Sequence, residues 1–178
     1  MRPMMRPIMC AATVLAAACS SEVSDSPTSP TDAGLPAAPT LARAAAELPF
    51  RASLTTEADL VPPNPLAVLT GGGHATHFGQ ITVAMTAIVD FATSTATGTF
   101  RLTAANGDEV SGTFIGVEGV FVGPNVARIT EVATITAGTG RFQGATGTFT
   151  VVRFDTIDFA TGHSTGSASI VGHINLNN

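Results

Sequence analysis

The sequence predicts an all-β fold, an antiparallel sheet of seven or eight short strands that closes into a barrel, with a β-sandwich as the alternative. Three observations predict it. From Leu48 onward, apolar and polar residues alternate with period two, as in Leu48, Phe50, Ala52 and Leu54 against Arg51, Ser53 and Thr55. Thr, Val, Ile and Phe are frequent beside 18 Gly, the composition of strands joined by tight turns. Most links between the strands are short and no helical period lies between them, which suits a meander whose closure removes exposed edges.

The chain divides into a leader (1–18), a tether (19–47) and the β domain (48–178). Arg2 and Arg6 precede an apolar run from Ile8 to Ala18, the layout of a secretory signal. That run is too short to cross a bilayer, which takes about twenty residues. Leu15-Ala16-Ala17-Ala18-Cys19 resembles a bacterial lipobox, with Cys19 as the lipidated first residue, although Ala16 stands where that motif prefers Leu. An Ala-x-Ala cut after Ala18, leaving a soluble secreted protein, is the alternative. Ser20 to Thr40 is rich in Ser, Pro, Asp and Thr and has no apolar period, so it cannot offset its ordering entropy.

Composition excludes several function classes. Without Arg2 and Arg6, six Arg face thirteen acids for a net charge of −7, and there is no Lys. Such a chain is poorly made for a nucleic-acid backbone or an anionic lipid surface. Both cysteines, Cys10 and Cys19, lie at the N-terminus, so residues 48–178 hold no disulfide, thiol catalyst or Cys-based zinc site. No cofactor is expected.

Strands are expected near 48–57, 74–90, 96–104, 108–122, 126–136, 148–155 and 166–174. Val61 to Pro65 is a loop, because Pro cannot donate to a ladder. Gly71-Gly72-Gly73 opens the strand that follows it. A hairpin turns at Ala105-Asn106-Gly107-Asp108. A three-residue loop there sets Leu102 opposite Val110, Phe100 opposite Gly112 and Phe114 opposite Gly98, with Gly107 left-handed. A slip of one residue would put every side chain on the wrong face. At an offset of 68, Val89-Asp90-Phe91-Ala92-Thr93 is echoed by Ile157-Asp158-Phe159-Ala160-Thr161, read as two corners capped by their Asp. A calcium loop is the sharper reading, but one carboxylate per copy falls short of the several oxygens calcium takes.

Ala75-Thr76-His77-Phe78-Gly79, Ala104-Ala105-Asn106-Gly107-Asp108 and Gly138-Thr139-Gly140-Arg141-Phe142-Gln143-Gly144-Ala145-Thr146-Gly147 occur in that order. Together they resemble the allene oxide cyclase-like barrel family, related to dirigent proteins, over about Leu48 to Ile174. The resemblance implies an eight-stranded calycin-like barrel with an apolar lumen, a cyclase or a steering function, and a homo-oligomer. No catalytic residue of that family maps onto this chain by motif. The Gly138–Gly147 segment lacks the Gly-Lys-Ser/Thr of a phosphate loop. Phe142 is expected to tuck under the turn or plug a barrel end, and Arg141 is a candidate anion contact.

Four lumen candidates follow from parity. His77 aligns with Ile81, Val83 and Met85, and a lumenal His titrates near neutral pH. Glu118 aligns with Phe114 and Val120, Glu131 with Ile129 and Ala133, and Arg153 with Phe149 and Val151. A carboxylate in an apolar lumen would have a raised pKa and Arg153 as partner. The bland readings are a hydrogen-bonded His at a strand start and solvated strand charges, which are the default. His74 and His77, three apart on a strand, would face opposite ways, so no metal pair is expected. His163 and His173 carry no signal. The expected function is an exported, lipid-anchored envelope protein that holds a small apolar ligand or serves as an interaction domain. A cyclase- or isomerase-like enzyme using the lumen is the alternative.

Overall fold

A computed structural model describes residues 47–60 and 63–176. The expected leader, the tether up to residue 46 and Cys19 lie outside them. Eight strands form a closed, fully antiparallel barrel in chain order. They are β1 (Glu47–Asp59), β2 (Leu66–Ala75), β3 (Gly79–Asp90), β4 (Thr95–Ala104), β5 (Glu109–Phe121), β6 (Val126–Gly138), β7 (Thr146–Asp158) and β8 (His163–Asn175). Pairing of β1 with β8 along their whole length, Glu47 opposite Asn175 to Asp59 opposite His163, closes the ring. Closure removes the sandwich alternative.

The β4–β5 hairpin has the expected register, with Leu102 opposite Val110 and Phe100 opposite Gly112, and Gly107 at φ 87°. Its inward glycines make room for rings: a Cβ on Gly98 would collide with Phe114, and one on Gly112 with Phe100. One expected strand, 74–90, proves to be two. Gly71-Gly72-Gly73 lies inside β2, which pairs with both β1 and β3, and the chain reverses at 76–78. Gly71 and Gly73 face inward, where a Cβ would strike the carbonyls of Thr55 and Ser53. Glycines show no alternation, so this strand was hidden.

Inward positions carry the core: Phe50, Leu54, Ile81, Leu102, Phe114, Phe149 and Ile170 are all buried. Outward positions are polar or mixed. Thr86, Thr99, Thr113, Thr134 and Thr148 stand in register across five strands, all exposed. An apolar interior under a hydroxyl-rich exterior is the reverse of a lipid-facing barrel.

The two ends differ. At the base, where β1 begins, lie the turns 76–78, 105–108 and 139–145. Here Phe78 and Phe142 stack at 3.9 Å, and Phe50 meets both Phe78 and Phe149 at 5.5 Å. Phe142 sits in a single 3-10 turn, Gly140–Phe142, and plugs the base as expected. At the other end, the rim, lie the turns between β1 and β2, β3 and β4 (91–94), β5 and β6 (122–125), and β7 and β8 (159–162).

Candidate functional site

Among the described residues, the interior holds one polar cluster. Glu131 on β6, Arg153 and Asp155 on β7, and Thr56 on β1 are all buried among apolar side chains. Period two puts Phe149, Val151, Arg153 and Asp155 on one inward line of β7. Gly166 on β8 faces Asp155 and leaves the space its carboxylate fills, since a Cβ there would strike Asp155.

Arg153 bridges the two acids. Its Nη1 donates to Asp155 Oδ2 at 2.8 Å and its Nη2 to Glu131 Oε1 at 3.3 Å. Two carboxylates thus share one guanidinium, and their charges do not balance. Burial pushes the Glu131 carboxyl above its ordinary range; Arg153 opposes the shift, and the Asp155 charge adds to it. Burial likewise raises Asp155, against the pull of Arg153 and of the nearby Thr56 hydroxyl. Glu131 Oε2, Arg153 Nε and Thr56 Oγ1 are buried and close no hydrogen bond. The residual lumen is a cavity of about 20 Å³, with Arg153 and Thr56 among its lining residues. That is room for about one water molecule.

Of the four lumen candidates, the structure brings Glu131 and Arg153 together. The other two lie elsewhere. His77 is in the turn before β3, at φ 66°, and its Nε2 is 3.0 Å from the Pro49 carbonyl oxygen. The strand starts two residues later than its parity assumed. Glu118 is turned outward by a register shift between Gly116 and Glu118, which makes Val117 an extra residue. On the outer face it accepts from Arg128 Nη2 at 2.7 Å. Arg141 is no free anion contact: it donates to the Phe78 carbonyl at 3.2 Å, pairs with Asp108 at 3.7 Å and lies over the Phe142 ring.

Asp155 and Thr56 were missed, although they share inward parity with Arg153 and Leu54. His163 was missed too. Its Nδ1 lies 2.8 Å from Asp59 Oδ1 at the rim, and that bond, with Glu57 and Asp158 nearby, raises its pKa. Among the described residues, no three His, Asp or Glu side chains converge as metal ligands.

The cluster has the groups for proton transfer, and the enclosed cavity it lines, about 20 Å³, is too small for a substrate. Pockets that enclose a small molecule run to roughly 300–1,000 Å³. No family model, curated protein or solved structure matches the chain.

Proposed function

We propose that this chain is the noncatalytic interaction domain of an exported envelope protein, anchored through lipid on Cys19 and akin to the allene oxide cyclase-like barrels it resembles. The filled interior carries the reading. A void of about 20 Å³ leaves an apolar ligand no seat unless packed side chains move. The buried charges bind one another, as they do where they help specify a structure. The outer surface is then what remains for recognition.

A native mass spectrum of the protein, purified gently from its own host, tests this. The expected spectrum shows the polypeptide with its lipid and nothing that leaves on denaturation. A small molecule released on denaturation would overturn the noncatalytic, surface-binding reading. For the anchor, Cys19→Ala is expected to move the protein from the membrane fraction to the soluble one. Retention at the membrane would overturn lipidation.

A second reading, a cyclase- or isomerase-like enzyme, is favoured by one observation. Glu131 and Arg153 meet inside the barrel with polar atoms left unpaired. It requires the lumen to open, and the same spectrum would then carry a bound mass that Glu131→Gln retains without converting.

A further inference from the structure

The internal repeat has a structural outcome at the rim. Its two copies form the β3–β4 and β7–β8 turns, four strands apart in an eight-stranded ring and so on opposite sides of the opening. Both are built alike. Asp90 Oδ1 accepts the Ala92 N–H at 2.9 Å, and Asp158 Oδ1 accepts the Ala160 N–H at 2.9 Å. The left-handed residue falls at the same place in each, Ser94 at φ 54° and Gly162 at φ 75°. Each turn holds its Phe outward: Phe91 is 49% exposed and Phe159 65%. Phe121, 62% exposed, leans on Phe159 at 5.9 Å, and Val122 beside it is 55% exposed.

A loop free to rearrange would fold such rings onto the barrel. Here the turn backbones are held by the Asp90 and Asp158 hydrogen bonds, so docking would cost little backbone ordering entropy. Clustered exposed rings such as Phe121 and Phe159 mark interaction sites, and aromatics buried on binding carry much of an interface's energy.

Charge selects the occupant. Asp90 and Asp158 open the two turns, Glu57 and Asp59 lie near His163 on the Phe159 side, and His163 is already paired with Asp59. Arg128, opposite Val120 at the rim end of β6, is paired with Glu118. An acidic rim repels anionic lipid and nucleic acid. A second copy docked rim to rim would bring the same acidic rim.

We propose that the rim is the docking surface for a partner protein that presents a segment of basic residues interleaved with apolar ones. This rests on the interaction-domain reading and names its partner class. The acids would steer the basic groups by long-range attraction, and the Phe tips would bury against the apolar ones.

The full chain, in detergent, is titrated with two short synthetic peptides, one alternating Arg with Leu and one alternating Glu with Leu, and followed by amide NMR. Only the Arg–Leu peptide is expected to bind, with shifts confined to turns 91–94, 122–125 and 159–162, and more weakly as salt rises. Phe91→Ser with Phe159→Ser should weaken it about tenfold, at an unchanged unfolding midpoint. Glu57→Gln with Asp59→Asn should flatten the salt dependence. Equal binding of both peptides, shifts at the base, binding to phosphatidylglycerol vesicles through the rim, or rim-to-rim dimers in sedimentation would each overturn the proposal. So would a barrel that is bare in the native mass spectrum and binds neither peptide; that result leaves the interaction-domain reading intact. A released lumenal ligand fells that reading instead.

Discussion

At the base of the barrel Phe50, Phe78, Phe142 and Phe149 are buried and in mutual ring contact, whereas at the rim Phe91, Phe121 and Phe159 stand exposed. The residue type is the same and the surroundings differ. At the base, inward strand positions and a 3-10 turn bring the rings over one another, and Arg141 covers the outermost. At the rim the inward positions are small, such as Ala58, Ala87 and Ala96, and the Phe side chains sit in turns that hold them away from the barrel. One end is therefore committed to stability. The other forgoes burial worth roughly 1.5–3 kcal/mol per ring.

The largest effect should appear where this contrast is broken at the base. Phe142→Ala is expected to cost about 3–5 kcal/mol in urea unfolding, against less than about 0.5 kcal/mol for Phe159→Ala. Similar losses at both ends would erase the distinction. Next in size is Arg153→Met, which strands two buried carboxylates and should cost about 3 kcal/mol or more near neutral pH.

The acids sharpen the comparison through pH. Glu131 and Asp155 have folded pKa values above their unfolded ones. The folded state binds their protons more tightly, so their contribution is fully present below the unfolded values and is lost as pH rises through the folded ones. Asp90 and Asp158 at the rim are lowered, Asp90 first by its Thr93 hydrogen bond and Asp158 first by the Ala160 N–H. Their contribution is present above the unfolded pKa and lost as pH falls through the folded one. In unfolding measured against pH, Glu131→Gln should reduce the decline as pH rises above the ordinary carboxylate range, and Asp158→Asn the decline in acid. An unchanged slope there in Glu131→Gln would show that Asp155 carries the effect.

The smallest effect compares the two repeat copies. Ser94 occupies the left-handed position that Gly162 fills in the other copy. Ser94→Gly should gain about 0.5–1 kcal/mol and Gly162→Ala lose about 1 kcal/mol, read as shifts in thermal midpoint.

Some of the site was legible in advance. Glu131 and Arg153 lie inward because parity along a regular strand is a local property. The same count placed Glu118 inward and failed, because one extra residue at Val117 reverses every side chain after it. His77 failed where an unseen strand end intervened: β2, with its three glycines, offers no alternation to read. Asp155 and Thr56 were readable by parity, but their grouping with Glu131 depends on β1, β6 and β7 facing one interior.

By itself the sequence determined the features set by nearest neighbours: the period-two pattern, the β4–β5 register around Gly107, and the two Asp-capped turns. Each follows from backbone sterics or a hydrogen bond spanning a few residues. Only the tertiary structure decided that β1 meets β8, that the lumen is filled, that two acids share one Arg, and that both copies of the repeat face one end. Those outcomes depend on how eight strands stagger around a common interior, where side chains far apart in the chain compete for the same space.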